Sequence, residues 1–325
     1  MISVTIPVYR NAANIESLLQ ALHELNQGWK GELEAVFVVD GSPDSCFEEL
    51  KSRLPYCTFR SQLLSLSRNF GSFAAICAGL SAANGEIFVV MAADLQEPPE
   101  LLLEFVNRLM NNSCDLVVGK RAGRHDKFIS NFLSNLFWSL YRRFVVPELP
   151  PGGVDIFGCN EKVREEILKL RESHSSLIAL LYWVGFRRSE VEYVRKRRAQ
   201  GKSAWTFRKR LRYLSDSVFS FTDLPIRVLY WVGLAGLSLS IIWAIAVLLA
   251  KVSGAIPVPG YAATVFSVAF FGGLNCLALG IIGAYVWRTF ENTKGRPNFI
   301  VAEMLNFQGG QSVEEGSRGE QRSVV

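Results

Sequence analysis

The chain has 325 residues, of which 49% are hydrophobic, and a formal net charge of +5 at pH 7. This modest charge gives no reason to expect a nucleic-acid partner. The six cysteines are scattered with no CxxC pair, so we expect neither a zinc site nor a disulfide framework, and the pattern indicates a reducing compartment. No charged segment followed by a short apolar one opens the sequence, so we expect no cleavable signal peptide.

The first 120 or so residues alternate β-rich runs with segments of helical periodicity. The predicted strands are Ile2–Val8, Leu33–Val39, Ser61–Leu66, Ile87–Met91 and Asp115–Val118, and the predicted helices are Asn14–Leu25, Phe47–Leu54, Ser72–Ala83 and Glu100–Met110. This alternation predicts an α/β fold, in which a mostly parallel sheet is covered by helices on both faces.

The middle of the chain is more aromatic. Phe128–Val146 is apolar with few charges, and we predict an amphipathic helix that lies on a membrane surface. A core helix of the same domain is the alternative for this segment.

Two long runs near the C-terminal end, Val228–Ala250 and Ala262–Trp287, contain no Asp, Glu, Lys or Arg. Each is longer than the roughly 20 residues that cross a bilayer, so we predict two transmembrane helices. The flanks Arg195–Arg227 and Arg288–Arg296 are rich in Lys and Arg, so the positive-inside rule places them and the N-terminal domain in the cytoplasm. We therefore expect a multi-pass membrane protein with its N-terminal domain in the cytoplasm, and small residues such as Gly272 and Gly280 would permit a homo-oligomer.

These patterns divide the chain into five parts. The predicted boundaries are 1–127 for a cytoplasmic α/β core, 128–227 for a second part of the same domain with interfacial helices, 228–250 and 262–287 for the membrane helices, and 288–325 for a cytoplasmic tail. The tail beyond Gln308 consists mostly of Gly, Ser, Glu and Arg, and we expect its end to be disordered.

Three of the predicted strands carry candidate site residues at or just after their ends. The three groups are Pro7, Tyr9 and Arg10, then Asp40, Ser42 and Asp44, then Asp94, Gln96 and Glu97. The carboxyl ends of such strands meet in one crevice, where α/β sheets bind ligands. Asp94 and Gln96 suit a hard divalent cation and, through it, a diphosphate. The alternative is that Asp94 caps the helix beginning at Glu100. No glycine-rich dinucleotide or Walker-type loop follows the first strand, which disfavours a redox enzyme or an ATPase.

Several motifs together resemble the family 2 glycosyltransferases. They are IPVYRNAANI, VVDGSPD, LSRNFGSFAAICAGLSAANGEIFVVMAADLQEPPE, RRAQGKSAWTFRKRLRYLSDSVFSFTDLPIR and ENTKGRPNFIV. They run in order from about Ile2 to Val301 and are similar to the polyprenyl-phosphate branch of that family, which includes bactoprenol glucosyltransferases and dolichyl-phosphate mannose synthase.

The resemblance implies a GT-A (Rossmann-like) fold and an inverting enzyme. It would transfer a sugar from a nucleotide sugar, expected to be a UDP-sugar, to a polyprenyl phosphate at the lipid bilayer, with Mg²⁺ or Mn²⁺. The metal ligands implied are Asp94 and Gln96, and the catalytic residues are Asp94 and Asp155. The donor-binding residues implied are Pro7, Tyr9, Arg10, Asp40, Ser42, Arg68 and Asn69, and the candidates for the acceptor phosphate are Arg121, Arg124, Arg198 and Lys202.

Other readings of these residues remain open at this point. Asp155 could cap a turn, and Arg198 and Lys202 could attract lipid headgroups or signal topology. Val39 and Ala92 stand where the family usually has aspartates, so a non-catalytic nucleotide-sugar-binding or scaffold protein is an alternative function. A processive polysaccharide synthase would need a QxxRW-type motif, which the sequence lacks.

Overall fold

The computed structural model describes residues 1–29, 32–121, 154–170, 176–195, 216–219, 224–253 and 260–309, together with positions 139, 142, 143, 148 and 222. The predicted strand–helix alternation is confirmed. The strands are β1 (Ile2–Val8), β2 (Leu33–Val39), β3 (Arg60–Leu66), β4 (Ile87–Val90), β5 (Leu116–Arg121), β6 (Val154–Asn160), β7 (Arg188–Tyr193) and β8 (Val301–Phe307). The α-helices are α1 (Ile15–Gly28), α2 (Cys46–Arg53), α3 (Ser72–Ala82), α4 (Glu100–Met110), α5 (Glu161–Lys169), α6 (Leu177–Trp183), α7 (Leu224–Val252) and α8 (Tyr261–Thr293).

All eight strands belong to one sheet, in the order β7-β5-β6-β4-β1-β2-β3-β8. Strand β1 pairs in parallel with β2 and β4, β2 with β3, and β5 with β7. Strand β6 runs antiparallel between β4 and β5, and β8 runs antiparallel along β3. The mostly parallel sheet predicted from the sequence is therefore confirmed.

The core lies on both faces of the sheet, because successive side chains of a buried strand point in opposite directions. In β2, Phe37 packs with residues of α1 and α4 such as Leu22 and Phe105. Its neighbours Val36 and Val38 pack on the other face, in the cluster that includes residues of α3, α5 and α6. Near-continuous apolar strands, rather than alternating ones, are what a sheet covered on both faces requires.

Helices α7 and α8 contain the two apolar runs that the sequence marked. Residues Leu224–Trp243 and Phe270–Thr293 are long and apolar enough to cross a membrane, by length and composition. Both helices extend beyond the uncharged runs, to Leu224 at the start of α7 and to Thr293 at the end of α8.

Strand β8 was not predicted. The sequence predicts a cytoplasmic tail over residues 288–325, but residues 301–307 form the edge strand beside β3, where Leu305 and Phe307 are buried. The strand is hard to recognise in the sequence because most of its other side chains are exposed. The predicted interfacial helix Phe128–Val146 lies outside the described residues except for positions 139, 142 and 143, and the tail from residue 310 onward lies outside them altogether.

Candidate active site

One edge of the sheet gathers most of the candidate residues. Six parallel strands, β1 to β5 and β7, all end on this edge, which we call the carboxyl edge. Because β6 is antiparallel to β4, its amino end with Asp155 lies on the same edge. The topology therefore brings the ends of six parallel strands and the start of β6 to one side of the molecule.

Side chains from the loop after β2 hold the loop after β1. The backbone N–H of Arg10 donates to Ser42 Oγ (2.8 Å), and Ser42 Oγ–H donates to Asp44 Oδ1 (2.5 Å). The N–H of Ala12 donates to Asp44 Oδ2 (3.1 Å). Arg10 has a positive φ of 56°, and its guanidinium lies 5.4 Å from the centroid of the Tyr9 ring. The loop is thus fixed in an unusual backbone conformation, with Tyr9 and Arg10 side by side at the carboxyl edge.

Asp44 is the charged centre of this arrangement. Burial acts to raise the pKa of Asp44, but hydrogen bonds from Cys46, Ser42 and the Ala12 amide hold it below its usual value. Burial, together with the neighbouring Asp44, raises the pKa of the Cys46 thiol to about 12. The thiol therefore stays protonated at neutral pH, and the negative charge rests on Asp44.

Asp40 lies beneath the neighbouring loop and is only 3% exposed. Its carboxylate accepts hydrogen bonds from the backbone N–H groups of Phe70 (2.7 Å) and Gly71 (2.9 Å), and its carbonyl oxygen accepts one from Asn69 Nδ2 (3.1 Å). Burial raises the pKa of Asp40, partly offset by these N–H groups and by the charge of Arg68. The contacts make Asp40 a residue that positions the loop bearing Arg68 and Asn69; direct contact with a donor stays a prediction.

Gly41 explains how closely these loops approach each other. Its φ is +55°, and a Cβ atom there would lie 2.4 Å from both the carbonyl carbon of Arg68 and the backbone nitrogen of Asn69. Any larger residue would push the two loops apart, so steric crowding explains why this position of the VVDGSPD motif is a glycine. Arg68 and Asn69 themselves are exposed at the carboxyl edge.

The segment after β4 carries the candidate metal ligands. Asp94 and Gln96 are half-buried, and Leu95 between them has a positive φ of 52°. The N-cap position of α4 is held by Pro99, so Asp94 is not the N-cap residue of this helix. The strained Leu95 instead marks a tight turn that presents two oxygen-bearing side chains at the edge.

The described residues include no group of three or more His, Cys, Asp or Glu that could hold a metal on its own. Asp94 and Gln96 supply one carboxylate and one amide oxygen. This set fits Mg²⁺ or Mn²⁺ bound in the manner of nucleotide enzymes, where one or two carboxylates act together with substrate phosphates and water. Half-buried Ala92 adds no ligand at the position where the family usually has an acid.

The remaining catalytic and acceptor candidates lie further along the edge. The β4–β6 register pairs Val89 with Gly158, and because β6 is antiparallel its amino end with Asp155 lies on the carboxyl edge, the same edge as Asp94. Asp155 lies within β6 and not in a turn, and its side chain is outside the described residues. Arg121 ends β5 on this edge, whereas Arg124, Arg198 and Lys202 lie outside the described residues.

Sequence reasoning missed Arg195 as a site residue. It follows β7, and its guanidinium donates to Gln96 Oε1 (2.6 Å) and lies 3.5 Å from Glu97 Oε1. Glu97 is only 2% exposed, so Arg195 partly balances a buried charge next to the candidate metal ligands. The only signal in the sequence was that Arg195 begins the basic segment.

The chain is similar in sequence to known proteins over most of its length. The family model described as "Glycosyl transferase family 2" matches residues 3–171. The chain is 32% identical over 309 residues to the uncharacterized glycosyltransferase sll0501 of Synechocystis sp. (strain ATCC 27184 / PCC 6803 / Kazusa), covering 94% of this chain and 96% of that protein. It is 28% identical over 301 residues to the bactoprenol glucosyl transferase of Shigella phage SfX, covering 92% of this chain and 98% of that protein.

Among solved structures, glucosyl-3-phosphoglycerate synthase from Mycobacterium tuberculosis, in complex with Mn²⁺, UDP and glucosyl-3-phosphoglycerate, gives a TM-score of 0.45 at 19% identity, covering 67% of this chain and 77% of that one. The family model spans more than half of the chain and the sequence relatives align over nearly all of it. Together with the sheet topology described above, this shows that the chain belongs to glycosyl transferase family 2 and is a glycosyltransferase with the GT-A fold.

Proposed function

We propose that the chain transfers a sugar, with inversion, from a nucleoside-diphosphate sugar to polyprenyl phosphate, which is undecaprenyl phosphate in a bacterium. The reaction takes place at the cytoplasmic face of the inner membrane and yields a lipid-phosphate sugar donor for cell-envelope glycan modification. Similarity to a bactoprenol glucosyl transferase over 92% of the chain supports this acceptor. We take the donor to be a UDP-sugar.

The observation that carries the proposal is the short connection between the carboxyl edge and helix α8. Because β8 is antiparallel to β3, its first residue, Val301, pairs with Leu66 at the carboxyl end of β3. Helix α8 ends at Thr293, so residues 294–300 alone join this apolar helix to the edge. These seven residues span at most roughly 25 Å when fully extended. A phosphate at the membrane surface would therefore lie near the donor site.

A second contact supports the same arrangement. Arg288, near the end of α8, donates to Asp216 Oδ1 (2.7 Å), and the rings of Phe219 and Tyr285 are 5.3 Å apart. The chain between Arg195 and Asp216 includes Arg198 and Lys202. This basic segment thus begins at the candidate donor site and ends against the membrane helix, which suits a role in binding an anionic lipid phosphate.

The chemistry needs little assistance from a base. A phosphate oxygen of the acceptor attacks the anomeric carbon while the bond from that carbon to the diphosphate oxygen breaks, and a single in-line displacement inverts the configuration. The second pKa of a phosphate monoester is about 6, so the nucleophile is already anionic at neutral pH. Asp155 would orient the acceptor, or accept a proton when the phosphate arrives monoprotonated.

Two groups of residues bring the anionic reactants together. Asp94 and Gln96 would hold Mg²⁺ or Mn²⁺, which neutralises charge on the leaving nucleoside diphosphate. Tyr9, Arg10 and Ser42 would bind the nucleoside, and Arg121 the acceptor phosphate.

Direct assay tests the proposal. Full-length protein in detergent is incubated with undecaprenyl phosphate, Mg²⁺ or Mn²⁺, and each member of a panel of labelled nucleotide sugars. We expect a labelled lipid that partitions into organic solvent with at least one donor. If no donor labels the lipid while the protein is folded and binds UDP, the proposed acceptor is wrong.

The metal role is tested by Asp94→Asn, with Glu86→Gln as the matched control. Glu86 lies just before β4 on the opposite edge of the sheet and is exposed. We expect Asp94→Asn to lose at least about 100-fold in rate, in line with removal of an electrostatic group that acts on the transition state. Glu86→Gln should retain the wild-type rate. An Asp94→Asn variant that remains fully active in the presence of a chelator would contradict the assignment.

A further inference from the structure

Arg195 lies where the basic segment, which begins at this residue, meets the candidate metal ligands. Strand β7 is parallel to β5, so residues that follow it reach the carboxyl edge. Arg195 comes two residues after Tyr193, the last residue of β7, and contacts the segment after β4. The contact joins residues 99 positions apart in the sequence, so it exists only because of the sheet topology.

The contact occupies an oxygen that a cation would use. Arg195 donates to Gln96 Oε1 across 2.6 Å, and its Nε is 3.5 Å from Glu97 Oε1. Mg²⁺ binds such an oxygen at roughly 2.0–2.1 Å. A guanidinium on the same oxygen would therefore be within a few ångströms of the cation, and the two positive charges would repel each other.

We propose that Arg195 is a positioning residue that holds Gln96 before the cation binds and competes with the cation for the amide oxygen. The inference rests on the proposed function, in which the cation arrives with a nucleoside diphosphate. Binding of the cation would release the guanidinium from Gln96 at the edge where the diphosphate lies. The ion pair with buried Glu97 would keep the arginine close by after its release.

The consequence is a measurable coupling between Arg195 and Gln96. Without nucleotide, the arginine weakens Mn²⁺ binding because it must first leave Gln96. With UDP present, the diphosphate adds negative charge, and the penalty becomes smaller. Substitution of Arg195 should therefore affect Mn²⁺ affinity more strongly without UDP than with it.

Mn²⁺ binding to the full-length protein in detergent, followed by the EPR signal of free Mn²⁺, tests this. We expect Arg195→Gln to bind Mn²⁺ about 5-fold or more tightly than wild type in the absence of UDP. The matched control Arg60→Gln, an exposed arginine at the start of β3 on the opposite edge, should be unchanged. An unchanged or weaker affinity in folded Arg195→Gln overturns the inference.

A double-mutant cycle separates competition at Gln96 from a general effect of charge. In a Gln96→Leu background, Arg195→Gln should no longer tighten Mn²⁺ binding, because the shared oxygen is gone. The same tightening in that background would mean that Glu97 or the overall charge is responsible, and would overturn the inference. If Arg195→Gln fails to fold, Arg195→Lys, which keeps the charge beside Glu97, should show a smaller tightening in the same direction, and no tightening would count against the proposal.

The two proposals fail in distinguishable ways. If wild type binds Mn²⁺ with UDP but folded Arg195→Gln shows no change, the competition is wrong and the proposed donor site stands. If no variant binds Mn²⁺, with or without UDP, the competition and the proposed metal role are both wrong, and the lipid-labelling assay still tests the acceptor.

Discussion

The carboxylate of Asp40 lies 2.9 Å from the backbone nitrogen of Gly71, the residue that precedes helix α3. Its other oxygen accepts from the N–H of Phe70, so the end of β2 holds the loop after β3 through two hydrogen bonds. This buried link positions Arg68 and Asn69 without itself being exposed.

Replacing Asp40 tests this link. In Asp40→Asn, an amide group must face one of the two backbone N–H groups, which leaves a buried donor without an acceptor. We expect a loss of about 1–3 kcal/mol in the free energy of unfolding, seen as a lower thermal midpoint by circular dichroism in detergent. Asp44→Asn, in the half-buried neighbouring loop, should cost less. An Asp40→Asn midpoint equal to that of wild type would show that the link is not stabilising.

Glu34 gives a pH-dependent prediction. It is 4% exposed and accepts hydrogen bonds from Ser3, Gln62 and Asn84. Burial acts to raise the pKa of Glu34, but these bonds together lower it below 4.5. A lowered pKa contributes stability that is fully present above the unfolded-state pKa and is lost as the pH falls through the folded-state value.

We therefore expect Glu34→Gln to be less stable than wild type at pH 7, and the difference to shrink as the pH falls below 4.5. Thermal midpoints of both proteins, measured at intervals of about one pH unit from about pH 3 to about pH 8, test this. A difference that stays constant with pH would show that the carboxylate charge is not responsible.

Gly79 lies where α3 packs closely against the sheet. A Cβ atom at this position would lie 2.3 Å from Thr5 Cγ2 and 3.1 Å from Val38 Cγ2, both on stiff β-branched side chains. The helix-propensity gain from Gly79→Ala is about 1 kcal/mol, whereas overpacking costs about 1–3 kcal/mol, so we expect net destabilisation. Gly272→Ala in α8, where no described atom lies within 4 Å of the added Cβ, should not destabilise. Thermal midpoints of the two variants decide the sign.

Strand β8 should be part of the cooperative fold. Phe307 is 3% exposed, and truncation of a buried phenylalanine typically costs about 3–5 kcal/mol, so Phe307→Ala should lower the thermal midpoint markedly. Met304 in the same strand is 42% exposed, and Met304→Ala should have little effect. Equal midpoints for the two variants would mean that β8 is not packed on the sheet.

Ser42 should affect donor binding. Its hydroxyl links the backbone of Arg10 to Asp44, so Ser42→Ala would loosen the loop that carries Tyr9 and Arg10. One net hydrogen bond is worth about 1 kcal/mol, so we expect UDP affinity to fall roughly 5- to 10-fold. Ser45→Ala, which removes only an exposed hydrogen bond to Glu49, is the control. Calorimetric titration with UDP and Mn²⁺ gives both affinities, and equal values would remove Ser42 from the donor site.

The sequence alone determined the features that depend on local pattern. Buried apolar runs predicted the strands β1 to β5, because strands covered on both faces need apolar residues throughout. Uncharged runs of more than 20 residues or so predicted α7 and α8, because a bilayer core fixes the length of a crossing helix. Motif order predicted the family, and the assignment of Asp94 and Gln96 as metal ligands stays a prediction.

Only the tertiary structure decided the contacts between distant residues. Arg195 meets Gln96 across 99 positions because β7 joins the sheet in parallel with β5. Strand β8 follows both apolar helices in the sequence and pairs with β3, although most of its side chains are exposed, as they would be in an unstructured tail. The motif predicts Asp40 as a donor ligand, which stays a prediction; the structure adds that backbone N–H groups about 30 residues away donate to both of its carboxylate oxygens. Such pairings depend on how strands are ordered in the sheet, and the order is fixed by packing of the whole domain rather than by any local stretch.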